Sequence, residues 1–168
     1  KLIEQGREVV TFTATSAGVI APQSIRVANN FDNVADTTLD IVSSAAYRLA
    51  APGAHTPEPV NFGNRHVGDV VSQTLTLANN AVADGFSEAL NASIGGATGA
   101  ATSNGGSFSL LAAGASNNSA LAVGLNTATA GAKSGTASIT LVSDGAGTSG
   151  LGQTALADTI TNPVNSAT

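Results

Sequence analysis

At 168 residues the chain has room for one large domain or one and a half small ones. A net charge of −5 with no Lys/Arg cluster argues against nucleic acid as a partner, since a polyanion would be repelled. Cysteine is absent, which excludes a disulfide framework and a thiolate metal site.

Hydrophobic residues make up 42% of the chain, but they are small: Ala, Val, Leu and Ile, with no Trp or Met, five Phe and one Tyr. Side chains of this size suit thin sheet-on-sheet packing better than a cavity for a cofactor, and no cofactor is expected. Strand and turn residues dominate, while Glu, Lys and Gln are scarce. From Gly85 onward the only charged side chains are Glu88, Lys133, Asp144 and Asp158. So neutral a surface fits secreted or cell-surface proteins that associate closely. Lys1-Leu2-Ile3-Glu4 lacks the apolar region of a signal peptide, so an exported protein would be represented here by a mature chain or an excised piece. No apolar run approaches the roughly 20 residues of a membrane helix, and no membrane span is expected.

Glu8 to Thr15 reads as a strand with Val10, Phe12 and Ala14 on one face. Gly18 to Pro22 is turn chemistry, and Ile25 and Val27 suggest a short second strand. Asn29 to Asp36 is a polar loop anchored by Phe31. Leu39, Ile41, Ser43, Ala45, Tyr47 and Leu49 then share one face of the longest alternation in the chain, either one strand bulged near Ser43-Ser44 or two strands that change sheet. The Pro-rich stretch AAPGAHTPEP (Ala50 to Pro59) reads as a short, stiff linker.

Further strands are marked by Val60 to Phe62, by Val71, Gln73, Leu75 and Leu77, and by Leu90, Ala92 and Ile94. Gly95 to Gly106 reads as a loop. Phe108 and Leu110, then Leu121, Val123 and Leu125, then Ala137, Ile139 and Leu141, and finally Leu156 to Thr161 complete about seven strands between residues 57 and 163. That count and spacing predict an all-β fold, an immunoglobulin-like antiparallel β-sandwich. Val71, Leu75, Leu77, Leu90, Ile94, Leu121, Val123, Leu125, Ile139, Leu141, Leu156 and Ile160 should form its core.

The chain also repeats itself. Gly6 to Gly18 (GREVVTFTATSAG) lies over Gly135 to Gly147 (GTASITLVSDGAG), setting Val10 on Ile139, Phe12 on Leu141 and Ala17 on Ala146. Val34-Ala35-Asp36-Thr37 resembles Leu156-Ala157-Asp158-Thr159. The expected organisation is one full module preceded by a partial one: the terminal strands of a repeat over residues 1–50, a linker over 51–59 and a complete sandwich over 60–168.

Several segments resemble a known family. They are Pro59-Val60-Asn61-Phe62-Gly63-Asn64, His66-Val67-Gly68-Asp69 and Ser72-Gln73-Thr74-Leu75-Thr76-Leu77-Ala78-Asn79. Together they resemble the opening of the bacterial choice-of-anchor D repeats, relatives of the ASPM/SPD-2/hydin immunoglobulin-like domains. Ala83 to Glu88, Leu110 to Gly114 and Ser143 to Gly152 are similar to that family too. Ala46-Tyr47-Arg48-Leu49-Ala50-Ala51-Pro52 resembles the junction between two repeats. The resemblance implies a tandem module of a large exported bacterial surface protein, with no catalytic residues. The chain departs from the pattern at Asn162-Pro163-Val164, where another Tyr-Arg-Leu junction would be expected.

Gly145-x-Gly147-x-x-Gly150 matches the dinucleotide fingerprint, but LGQTALADTIT is a poor helix and no acid follows at the required distance. A glycine-rich hairpin loop is expected there. Asp32, Asp36 and Asp40 with Asn29, Asn30 and Asn33 lack EF-hand spacing and read as turn-capping residues. His55 and His66 have no third ligand candidate, so no metal site is expected. No G-x-S-x-G or S-x-x-K pattern supports hydrolase chemistry. Asn91-Ala92-Ser93 and Asn117-Asn118-Ser119 are formal glycosylation triplets of the kind that arise by chance.

The expectation is therefore a non-enzymatic structural or adhesive module of an extracellular bacterial protein, whose residues 1–50 either fold back on the second module or complete the sandwich of a neighbouring subunit, the second giving a head-to-tail fibre by strand complementation. The alternative is a carbohydrate- or ligand-binding module attached to a surface enzyme. Two or three strands carrying Val10, Phe12, Ile25, Leu39, Ile41 and Tyr47 on one face cannot close a two-layer core alone, so these six are the expected assembly residues.

Overall fold

A computed structural model describes residues 10–28, 30, 32–42, 44–161 and 163–165, and every regular element among them is a β-strand. The chain divides into two compact units between Ala46 and Tyr47.

The first unit holds β1 (Gly18–Ile20), β2 (Gln23–Val27), β3 (Thr37–Ile41) and β4 (Ser44–Ala46). They form two antiparallel ribbons, β1 with β4 and β2 with β3, the latter pairing Ile25 with Leu39. The long alternation is thus two strands in separate ribbons. Gly18 to Ile20, expected as a turn, is β1. Of the strand expected over Glu8 to Thr15, Glu8 and Val9 lie outside the described residues, and Val10 to Thr15 has no strand pairing among the described residues. The alternation is present, but a strand persists only where a neighbour takes its backbone hydrogen bonds. Phe31 lies outside the described residues. None of the described residues from Val10 to Ala46 is buried.

The second unit contains β5 (Val60–Asn61), β6 (Ser72–Ala78), β7 (Ala89–Gly99), β8 (Ala101–Ser103), β9 (Ser107–Leu111), β10 (Ser116–Leu125), β11 (Lys133–Asp144), β12 (Thr154–Ala155), β13 (Thr159–Thr161) and β14 (Pro163–Asn165). One sheet runs β6-β10-β8. The other is centred on β11, which pairs with β7 and β9 beyond it on one side and with β12, β13 and β14 in succession on the other. The β14 strand closes this sheet by a parallel pairing with β5.

Side chains alternate across each strand, so inward residues of both sheets meet in one layer. Leu75, Leu77, Leu121, Val123 and Leu125 come from the first sheet; Leu90, Ala92, Ile94, Ile139 and Leu141 come from the second. Nine of the twelve expected core residues are fully buried, and Val71 and Leu156 pack partly buried against them. The side chain of Ile160 lies outside the described residues. The fold is an all-β, immunoglobulin-like antiparallel sandwich.

Two segments differ from expectation. Gly95 to Gly106 is largely strand, the end of β7 plus β8. Gly99 and its neighbour Gly135 in β11 permit close approach of the two backbones: a Cβ on Gly99 would strike the Ser134 carbonyl oxygen at 2.6 Å, and one on Gly135 would strike the Thr98 carbonyl. The Pro-rich stretch is also not free-standing. The Thr56 N–H donates to the Thr76 carbonyl at 3.0 Å, and the Thr76 N–H donates back at 2.8 Å. Gly53 N–H reaches the Ala78 carbonyl at 2.9 Å. Proline is tolerated along a sheet edge, where its missing N–H would face away from the ladder. These residues therefore edge β6 within the second unit.

Candidate functional site

The second unit's polar groups concentrate where residues 47–51 run beside the segment 82–88. Arg48 N–H donates to the Phe86 carbonyl at 2.8 Å, and Glu88 N–H donates to the Arg48 carbonyl at 2.9 Å. The Tyr47 ring lies on the Phe86 ring with centroids 5.6 Å apart. Arg48 Nη1 binds the Asp84 carboxylate at 2.8 Å. The Asp84 carboxyl is held below its ordinary value, first by the Phe86 N–H and then by Arg48.

Asn79 fastens the same region from inside. It is fully buried; its Oδ1 accepts from Ala51 N–H at 3.1 Å and Ala81 N–H at 3.2 Å. Its Nδ2 donates to the Glu88 and Leu111 carbonyls, both at 3.1 Å. One side chain thus ties the incoming segment to the ends of β6, β7 and β9. Glu88, also buried, receives Ser143 Oγ at 2.7 Å on one carboxylate oxygen and Ser149 Oγ at 2.6 Å on the other. Ser143 Oγ in turn accepts from Ala50 N–H at 2.8 Å. A serine beside a carboxylate has the form of a nucleophile pair, but this hydroxyl is fully buried and bonded on both sides. Its role is structural.

The glycine-rich loop is a turn. Thr148 and Gly150 N–H both donate to the Gly145 carbonyl, at 3.0 and 2.8 Å. Gly147 and Gly150 have φ of 83° and 69°, the left-handed region that glycine enters freely. Gly145 is needed for space, since a Cβ there would meet the Leu151 carbonyl oxygen at 2.6 Å. No helix start follows, so the fingerprint's phosphate-binding geometry is not built.

Asp144 opens the turn. Its carboxyl is held below the ordinary range by the Ala146 N–H first, then by Gln153 and Asn91. Asn91 uses its other amide atom to accept from Leu110 N–H at 2.7 Å, where Leu110 sits at a φ of 53°. The amide of the first glycosylation triplet is therefore committed to holding this bend. Ala83, Gly85, Leu110, Ala113 and Gly147 line a shallow concavity beside it.

Elsewhere, His55 Nε2 lies 2.7 Å from the Glu58 carboxylate, and His66 N–H donates to Asp69. Arg26 pairs with Asp36, and Ser24 Oγ donates to Asp40. Among the described residues no three His, Asp or Glu side chains converge on a point. None of those residues forms a helix long and apolar enough to cross a membrane.

Of the expected assembly residues, Ile25 and Leu39 are directly paired, and Ile41 shares their face two positions on. Val10, Phe12 and Leu39 are 49%, 47% and 49% exposed. Tyr47 belongs to the second unit, where Phe86 covers it. Sequence reasoning passed over Asn79, Glu88 and Ser143 as polar anchors. A single acid in the otherwise neutral alternation SEALNASI was the available signal for Glu88.

No family model matches the chain, and no curated protein matches it. Among solved structures, PapD-like domain 7 of human CEP192, an ASH/PapD-like domain, is similar at 9% identity and a TM-score of 0.40, over 71% of this chain and 88% of that domain. A likeness of that size supports no inference about this chain's role. The class defined by the strand pairing and the shared core is the immunoglobulin-like β-sandwich.

Proposed function

We propose that the chain is a non-enzymatic structural module of a tandem-repeat, extracellular bacterial surface protein of the choice-of-anchor D kind, and that it self-associates head to tail by strand complementation. One observation carries this reading. The second unit closes its own core, whereas no described residue of the first, from Val10 to Ala46, is buried. A pair of two-stranded ribbons with exposed apolar side chains gains stability by covering them. The neutral Ser/Thr/Asn surface supports close association, and a head-to-tail contact that does not close propagates as a fibre. Phe12 is the one exposed aromatic among the described residues, which offers no platform for stacking sugars.

Sedimentation velocity across a concentration series tests this. The native chain should shift to larger species as concentration rises, with fibres visible in micrographs of the concentrated sample. A variant carrying Val10→Asp, Phe12→Asp and Leu39→Asp should keep its β-sheet circular dichroism and stay a single small species. A native chain that sediments as a compact monomer throughout would remove the proposal.

A further inference from the structure

The second unit has two ends of opposite character, and strand register places them. Ser72 at the start of β6 lies opposite Gly124, and Ala78 at its end lies opposite Ser116. β11 begins beside Gly99 and ends with Asp144 opposite Ala89. The loops 63–71 and 125–134 therefore share one end, joined by the Gly68 N–H on the Thr127 carbonyl at 3.1 Å. The segments 82–88, 110–115 and 145–150 share the other. Charge separates with them. Arg65 and Lys133, two of the second unit's three Lys and Arg side chains, stand at the first end with one carboxylate, Asp69. The other end holds Asp84, Glu88 and Asp144 against Arg48 alone. One end is net positive and the other net negative.

Shape separates too. The positive end carries Val67 and Val70, 58% and 98% exposed. The negative end carries the concavity beside Leu110, about 380 Å³ in volume. Its Ser87 and Thr148 hydroxyls donate to the Val82 and Gly145 carbonyls, so it offers an incoming group apolar surface rather than hydrogen bonds. Leu110 on its wall is 50% exposed at a φ of 53°, a conformation unfavourable for leucine that its N–H bond to Asn91 Oδ1 maintains. We infer that the negative end is a socket for the positive end of a second copy, with Val70 seated in the concavity against Leu110 and with Arg65 and Lys133 facing the carboxylates. The positive end of this chain supplies both an exposed apolar knob and charge of the opposite sign. One end meeting the other is a heterologous contact, which continues from copy to copy. It goes beyond strand complementation, since no residue of the first unit takes part. So small a concavity buries little area, so the contact is weak alone and gives direction to head-to-tail association.

Disulfide trapping tests this cleanly, because the chain has no cysteine of its own. Full chains carrying Val70→Cys and Ala112→Cys are mixed in equal amounts with oxidised glutathione, and covalent dimers are followed on non-reducing gels. Ala112 lines the concavity, and both positions are exposed, so circular dichroism should be unchanged. The mixed pair should be trapped about 10-fold faster, or more, than either variant with itself or with Ser93→Cys on the exposed face of β7, because docking holds the two thiols together. Adding Arg65→Glu to the Val70→Cys chain should slow trapping about 10-fold through lost steering. Equal rates for all pairings would overturn the inference. Faster trapping of Val70→Cys with itself would place like ends together and overturn it too. The preference should persist when both chains also carry Val10→Asp, Phe12→Asp and Leu39→Asp; its loss there would assign the trapping to strand-paired copies and overturn the contact. Preferential trapping of a chain that sediments as a monomer would uphold the contact and remove the strand-complementation reading.

Discussion

Asn79→Ala should lower the stability of the second unit by roughly 3 kcal/mol or more. The side chain is fully buried and makes four hydrogen bonds to main-chain groups. Alanine would leave the buried Ala81 N–H without this acceptor, and a buried, unsatisfied group costs about 1–3 kcal/mol; the part-buried Ala51 N–H adds less, since Ala51 is exposed to water. It would also withdraw a donor from the Glu88 and Leu111 carbonyls. Few single substitutions exceed this range, and those that do act through such named mechanisms. Asn79→Asp should fail to rescue, because a carboxylate oxygen would face those two carbonyls in place of Nδ2. Urea unfolding followed by circular dichroism should show a lower midpoint with an unchanged slope. A loss under about 1 kcal/mol would show that water replaces the amide readily.

Leu141→Ala should cost about 2–5 kcal/mol, the lost transfer energy plus a cavity between sheets that cannot fully collapse. Leu141 is 3% exposed and sits on the central strand β11, with neighbours on both sides. Leu151→Ala is the contrast: Leu151 is 63% exposed just after the Gly145 turn, and its truncation should fall within about 0.5 kcal/mol. Similar losses at the two positions would show that the inward register of β11 is misassigned.

The core was legible because period-2 alternation survives wherever one face of a strand is buried. Leu75 and Leu77, Leu121 to Leu125, and Ile139 and Leu141 all carry it, and all face inward. Three features were hidden for separate physical reasons. The strands from Gly95 to Ser103 carry three glycines, of which Gly99 stands where the β11 backbone approaches closely, and composition alone reads such a stretch as a loop. The residues 51–56 lack alternation because their role is to cap the edge of β6 through a few N–H groups spaced around prolines. Val10 to Ala14 has the alternation but not the neighbour, and the neighbour is what makes a strand.

The polar anchors were harder. Asn79 looks in sequence like any Asn after a strand, a turn former. Its six hydrogen bonds, two through the main chain and four through the side chain, depend on segments 28 to 36 residues away and on others nearby. The six residues expected to take part in assembly form an apolar alternation visible in the sequence, but the division that gives Tyr47 to the second unit is not visible there.

Hydrogen exchange resolved to individual amides tests the central claim most directly: that Val10 to Thr15 is a strand completed by another molecule. In dilute solution the amides of β7 and β11 should exchange only through global unfolding, while those of residues 10–15 exchange at nearly unprotected rates. Raising the concentration into the range where larger species form should slow residues 10–15 and leave β7 and β11 unchanged. Residues 10–15 protected as strongly as Ile139 to Leu141 at the highest dilution would contradict the account.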